Sequence, residues 1–351
     1  MAWDEVRRTI LLEPDVLSEE YFPHRMGARE TQISHFRSCL YPVLKNEKPL
    51  QVWLHGKPGT GKTAAAKYLA HELHLKSKVE YIHVNCRKHN SFYSILDHIL
   101  NELRVGFGDE RDGRVKLEKI ERYVKDRSLI LILDEIDFLP QKERSSLLYN
   151  LSFDKVGLVC ISENRDALIS LNGRTKSRLQ PHLIEFTAYT PAEIEEILHE
   201  RAFAALAPGS WDPKAVERIA RLAGGDARVA IQTLRNAAEI AEGQGSQAIS
   251  AEHIDMAFSN TRGIKKSYLL KKLGDHYRIL HKLIESSEGI LSNQLWDLYD
   301  KECKDKGLEP VAKRTYSYYL NRMAQLKLIE AKRARVRGHV YLFSVKSNNR
   351  R

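Results

Sequence analysis

Two rhythms of apolar residues divide the chain. In the first half, nearly continuous runs of Val, Ile and Leu at 50–55, 79–85, 129–133, 156–161 and 183–186 alternate with longer helical stretches at 62–73, 92–103, 114–125 and 141–150. Runs without polar alternation suit strands buried on both faces, and the helices between them suit a mostly parallel sheet. After Tyr189 the strand pattern stops. Thr190-Pro191-Ala192-Glu193 supplies a capping threonine, a first-turn proline and a glutamate three residues past the cap, which predicts a helix start. Helices follow at 191–206, 212–223, 226–242 and 250–259, separated by Pro- and Gly-containing breaks. From Gly263 onward, helices at 267–286, 292–304 and 312–325 precede two strand-like runs at 328–334 and 339–345, with Gly338 near the tip between them. Three helices and a hairpin predict a winged helix-turn-helix. The expected organisation is therefore an α/β domain at 1–189, a helical domain at 190–262 and a winged-helix domain at 263–351.

Charge sharpens this division. The net charge is +10, yet 263–351 alone holds 20 Lys and Arg against 9 Asp and Glu, so the rest of the chain is close to neutral. A basic terminal domain on a neutral body predicts a polyanionic partner. No run of about 18 apolar residues is present, and none is expected to span a membrane. The first residues carry acids and lack an apolar stretch, which argues against a secretory signal. The four cysteines are far apart and form no CxxC pair, so neither a disulfide nor a metal framework is expected and a reducing, cytoplasm-like compartment fits.

The segment Gly56-Lys57-Pro58-Gly59-Thr60-Gly61-Lys62-Thr63 satisfies G-x-x-x-x-G-K-[ST], follows an apolar strand and opens a helix. Its glycines let backbone N–H groups face phosphates, Lys62 reaches the β- and γ-phosphates, and Thr63 offers a hydroxyl to Mg²⁺. ATP or ADP with Mg²⁺ is the expected cofactor. The apolar strand ahead of Asp134 and Glu135 places both acids at a carboxyl strand end, where ligands of open parallel sheets bind. Asp134 is placed to hold Mg²⁺, and Glu135 to orient or deprotonate the attacking water.

With its DEID form of the acidic strand, helical second domain and C-terminal winged helix, the sequence resembles the AAA+ replication-initiator family, which comprises the archaeal and eukaryotic origin-recognition subunits and the related cell-division-cycle loader. Tyr21-Phe22-Pro23-His24-Arg25 and Arg29-Glu30-Thr31-Gln32-Ile33 are similar to the family's entry into its ATPase core. The resemblance implies an AAA+ sheet domain with a helical lid. It implies that Arg178, or failing it Arg174, acts as the finger that completes a neighbour's ATP site, and that Arg228 touches the nucleotide from the lid. Asn164 matches the family's polar residue at the end of the fourth strand, although Glu163 stands where the family passes directly from Ser to Asn. The stretch 104–116 falls where initiators carry a DNA-touching insertion, and the resemblance implies that role for its arginines, Arg104, Arg111 and Arg114.

In a winged helix the third helix enters the major groove and the wing follows the backbone or minor groove. Lys313, Arg314, Tyr316, Ser317 and Arg322 are expected to lie outward, with Leu320, Met323 and Leu326 inward. Arg333, Arg335 and Arg337 alternate onto one side of the wing, where like charges repel unless a partner is present. The leading expectation is a slow, ATP-switched initiator of archaeal type that binds double-stranded DNA at replication origins with paralogous initiators and the replicative helicase, in the cytoplasm and associated with the nucleoid (the nucleus, if eukaryotic). The alternative is a nucleotide-switched transcription regulator acting at promoters.

Overall fold

A computed structural model describes residues 9–18, 21–23, 25–77, 79–106, 112–125, 127–287, 289–326, 328–333 and 341–345, with only the backbone for 262–269, 271–272 and 325. The chain forms two compact units, Met1–Phe258 and Ser259–Arg351.

The first unit is built on five parallel strands, β1 (Val52–His55), β2 (Glu80–Asn85), β3 (Leu129–Asp134), β4 (Val156–Ser162) and β5 (His182–Glu185), in the order β2-β3-β4-β1-β5. Side chains alternate across the sheet, as a period of two requires. Leu129, Leu131 and Leu133 enter one core with Trp53, Leu158 and Cys160, while Ile130 and Ile132 enter the other with Val52, Leu54 and Val159. Helices α1 (Glu30–Leu40) and α2 (Lys62–Ser77) cover the second face. Helices α3 (Phe92–Glu102), α4 (Gly113–Val124) and α5 (Gln141–Leu151) cover the first. Burial on both faces is why β1, β3 and β4 carry no polar alternation, whereas the edge strands β2 and β5 keep exposed positions at Glu80, His182, Leu183 and Glu185.

Short helices α6 (Asp166–Ile169) and α7 (Gly173–Leu179) lead into β5. The capping box then forms as its residues predict: Glu193 N–H donates to Thr190 Oγ1 at 3.3 Å, and Thr190 N–H donates to Glu193 Oε2 at 2.7 Å. It opens α8 (Pro191–Ala205), which packs with α9 (Pro213–Ala223) and α10 (Ala227–Gly243) around their own apolar core. Ile10, Leu11 and Leu17 belong to that same core. The N–H groups of Thr9, Ile10 and Leu11 all donate to Glu242 Oε1. Residues 9–18 thus pack with the helical layer and not with the sheet, to which the 1–189 boundary would assign them.

One expectation fails at Gly274. Instead of separate helices at 250–259 and 267–286, a single helix α11 (Ala251–Leu273) is followed by α12 (Asp275–Glu285). The break falls on Gly274 at φ 96° and ψ 179°, a backbone state open to glycine and strained for other residues. Among the described residues no helix is long and apolar enough to cross a membrane.

The second unit packs α12, α13 (Ser292–Asp305) and α14 (Lys313–Gln325) against a small antiparallel sheet. Its strands β6 (Ile290–Leu291), β7 (Glu330–Arg333) and β8 (Tyr341–Ser344) run in the order β6-β8-β7. Strand β6 is two residues long, too short to show an alternation in sequence. Tyr316 corrects the expected outward face of α14: it is buried against Trp296 and Tyr299 in the core with Leu320 and Met323. A step of four back from Leu320 lands on Tyr316, so helical geometry puts it on the inner stripe.

Candidate functional site

The carboxyl ends of β1, β3 and β4 are neighbours, and each delivers part of one site. Strand β1 ends at His55 and passes into the loop 56–61, which opens α2 at Lys62. The helix points its unpaired N–H groups and positive dipole end toward the loop. Lys62 Nζ donates to the carbonyls of Gly56 (2.6 Å) and Lys57 (2.9 Å). Burial and the nearby Arg228 cation lower its pKa, against the pull of Asp134, Glu163 and Asp137. A part-buried ammonium held over backbone carbonyls with a second cation nearby forms a place for an anion, because negative charge would offset what lowers the Lys62 pKa. The loop fits a polyphosphate for a further reason. Gly59 (φ 76°) has no room for a Cβ beside the Asp226 carboxylate, and Gly61 (φ 87°) has none beside the Tyr189 hydroxyl. The loop therefore follows a path that only glycine permits.

Asp134 ends β3 beneath this loop. Its Oδ2 accepts from Thr63 Oγ1 (2.9 Å) and lies 3.1 Å from His83 Nε2, while its Oδ1 accepts from Glu135 N–H (2.9 Å). Burial alone would raise the Asp134 pKa, but the His83, Thr63 and backbone hydrogen bonds outweigh it and hold the carboxyl below its ordinary value. A buried carboxylate touching a threonine hydroxyl is a suitable donor pair for a hard divalent cation such as Mg²⁺. Glu135 follows at φ 54° and ψ 40°, a left-handed state that costs a non-glycine residue about 1 kcal/mol or more. That conformation turns the chain at the strand end, beside Thr63 and Asp134.

At the end of β4, Ser162 Oγ accepts from Trp53 Nε1 (2.8 Å) and donates to the Asn164 carbonyl (2.5 Å). Asn164 Oδ1 accepts from Asp166 N–H (2.9 Å), the first N–H of α6. Glu163, the residue inserted between Ser and Asn, is one of the acids that act on the Lys62 charge. Arg178 donates to the Ser152 carbonyl (3.0 Å) and lies over the Tyr149 ring at 4.7 Å. Arg174 is exposed on the same helix, α7.

The helical layer reaches the loop directly. Ala227 N–H donates to the Gly59 carbonyl (3.1 Å), and Asp226 Oδ1 caps α10 by accepting from Arg228 and Val229 N–H. Arg228 is exposed in the first turn, where its charge opposes the helix dipole.

Arg29 joins the layers from below, a role its sequence position did not announce. Fully buried, it donates through Nε to the Thr60 carbonyl (3.2 Å) and through a terminal nitrogen to the Thr187 carbonyl (2.6 Å). Its guanidinium carbon sits 3.7 Å from the Tyr189 ring centroid. Arg29→Ala is expected to lower stability by ~3 kcal/mol, because it opens a cavity and orphans two buried carbonyls. A urea midpoint shift at unchanged slope would measure this; a loss below about 1 kcal/mol would mean that water replaces the guanidinium. His83 was likewise missed, and the available signal was a polar residue two places before the end of a strand that neighbours the acidic one.

In the second unit, Lys313, Arg314, Ser317 and Arg322 are exposed on α14. Ser317 Oγ donates to the Lys313 carbonyl, and Lys313 Nζ lies 5.6 Å from the Trp296 ring centroid. Arg333 is exposed at the end of β7, whereas Arg335 and Arg337 lie outside the described residues. Arg104 (φ 53°) and Arg114 are exposed on either side of 107–111, and Arg111 also lies outside the described residues.

Comparison with known proteins matches residues 47–165 to a family described as AAA domain and 195–259 to one described as Cdc6 AAA+ ATPase-type lid domain. The chain is 28% identical to ORC1-type DNA replication protein 3 of Haloarcula marismortui, over 96% of this chain and 92% of that protein. It is 31% identical to ORC1-type DNA replication protein 1 of Sulfolobus acidocaldarius, over 91% and 85%. The solved structure of the Aeropyrum pernix ORC1 protein in complex with DNA superposes with a TM-score of 0.79 at 27% identity, covering 97% of this chain and 94% of that one. A phosphate loop roofed by a lid, and a likeness that runs nearly end to end, place this chain in the ORC1-type family of AAA+ DNA replication proteins.

Proposed function

We propose that this protein is an ATP-dependent replication initiator that binds duplex DNA at replication origins and promotes loading of the replicative helicase. The observation that carries this reading is the likeness, over both units, to an ORC1 protein whose structure is of a complex with DNA. The 259–351 unit is then a winged helix. Exposed Lys313, Arg314, Ser317 and Arg322 meet the groove and phosphates from α14, and Arg333 with Arg335 and Arg337 form the wing. Arg104 and Arg114 add contacts from the AAA+ unit.

At the nucleotide site, Gly56, Lys57, Pro58, Gly59, Thr60 and Gly61 wrap the phosphates and Lys62 neutralises the β- and γ-phosphate charge. Thr63 and Asp134 hold Mg²⁺, which when bound polarises the phosphate oxygens. Glu135 orients the attacking water, Asn164 positions it, and Arg228 contacts the nucleotide from the lid. Arg178, or Arg174 on the same helix, serves a neighbouring copy as the finger. A lone copy lacks that group, so hydrolysis is slow and ATP works chiefly as a switch for assembly with paralogous initiators.

A genome-wide map of DNA occupancy in the protein's own cells tests the reading. Sharp peaks at replication origins are expected. Peaks confined to promoters would replace origin initiation with transcription control by the same ATPase and DNA-binding unit.

A further inference from the structure

At the amino ends of the strands, away from the phosphate loop, three groups meet that the nucleotide chemistry leaves unused. His35 and Cys39 stand one turn apart on α1, the spacing that stacks side chains on one face of a helix. His182 opens the edge strand β5, where its N–H donates to the Gln51 carbonyl at 2.8 Å. Ligand atoms of these three side chains all lie within 4.8 Å of one another, and they are the one such group of His, Cys, Asp and Glu among the described residues. The imidazoles are exposed and perpendicular, with centroids 6.2 Å apart, while Cys39 is buried at their base.

We propose that His35, Cys39 and His182 form a site for a borderline-soft divalent metal, with Zn²⁺ as the preferred ion and a water in the fourth position. Zn–N bonds of about 2.0–2.1 Å and a Zn–S bond of about 2.3 Å place tetrahedral ligands roughly 3.3–3.7 Å apart. Closing the cluster therefore takes a shift of about an ångström from two exposed rings that turn freely. Two imidazoles and one thiolate select Zn²⁺ over Mg²⁺ or Ca²⁺, which take oxygen ligands. His35 also borders an open groove with Glu30, Thr31, Ser34 and Ser38, which gives the fourth position access to solvent. Binding forms the S–Zn bond as the thiol S–H bond breaks, and the proton leaves to solvent.

Bound metal would fasten α1 to β5 at the far end of the strands from the nucleotide. Its effect is structural: β5 runs on to Thr187 and Tyr189, two of the residues that Arg29 contacts.

The test is a Co²⁺ titration of the tag-free full chain after chelator treatment, without nucleotide. One equivalent is expected to produce a thiolate-to-cobalt charge-transfer band and the intense visible bands of a four-coordinate ion, both bleached by Zn²⁺. Cys39→Ser should remove the charge-transfer band. His182→Asn, at an exposed position that leaves the core intact, should weaken binding by ~10-fold or more. Cys303→Ser serves as the control, since Cys303 Sγ lies 3.9 Å from His276 Nδ1, and it should leave the band unchanged. Absence of the band at one equivalent, its survival in Cys39→Ser, unchanged affinity in His182→Asn, or its loss in Cys303→Ser would each overturn the assignment.

Discussion

Replacing Lys62 with alanine is expected to weaken ATP binding by at least ~100-fold while changing affinity for duplex DNA by less than about twofold. Among the described residues the Lys62 amine donates to the Gly56 and Lys57 carbonyls, and burial together with the nearby Arg228 cation lowers its pKa. Its complement is an anion, and without it the remaining N–H groups must hold the phosphates with one fewer charge. Most of the cations proposed to meet DNA belong to the other unit, among them Lys313, Arg314 and Arg322 on α14 and Arg333 on β7. Calorimetric titration with ATP and fluorescence anisotropy on labelled duplex read the two affinities separately. A parallel loss of both would show that DNA contact depends on the occupied nucleotide site, and would overturn the division of labour.

Glu135→Gln should have the complementary phenotype. ATP affinity is expected to hold or tighten, because a negative charge is removed near the phosphates, while the single-turnover hydrolysis rate falls by ~100-fold or more. Glutamine keeps the size of the side chain and leaves the Glu135-position N–H bond to Asp134 Oδ1 in place, so the metal pair of Thr63 and Asp134 stays positioned. A hydrolysis rate within about threefold of wild type would transfer the role of general base to another group. Glu163 is the next to try, because it lies close enough to act on the Lys62 charge.

The inner strands β1, β3 and β4 were legible because they are buried on both faces, and burial of that kind writes itself as unbroken apolar runs. The start of α8 was legible because capping is local chemistry: Thr190 and Glu193 need only each other. The loop at 56–63 is set by a fixed spacing, and the sheet order then brings Thr63 within 2.9 Å of Asp134 across 71 residues. What stayed hidden depends on partners far off in sequence. His83 meets Asp134 only because β2 and β3 pair in the register His83↔Ile132, and a one-residue slip would turn it to the other face. Arg29 is in sequence only the first residue of an entry segment, and its task appears when Thr60, Thr187 and Tyr189 close around it. His182 lies 143 positions after Cys39, beyond any spacing motif. Tyr316 was a different kind of error, since the helical period already pointed inward and its hydroxyl suggested the opposite.

The docking of residues 9–18 on the helical layer has a mechanical consequence. Residues 9–18 lie on the lid, the chain reaches the sheet layer by Arg29, and it returns to the lid after Thr187, so two separate stretches of backbone link these bodies. A lid hung on one strand could swivel in any direction. Hung on two, it is a door on a pair of hinges, free to turn chiefly about the line that joins them. Arg29 stands at the first crossing and grips the second through Thr187 and Tyr189, which makes it the pin between the hinges. The same side chain holds the Thr60 carbonyl of the phosphate loop, so the door cannot swing without tugging on the loop.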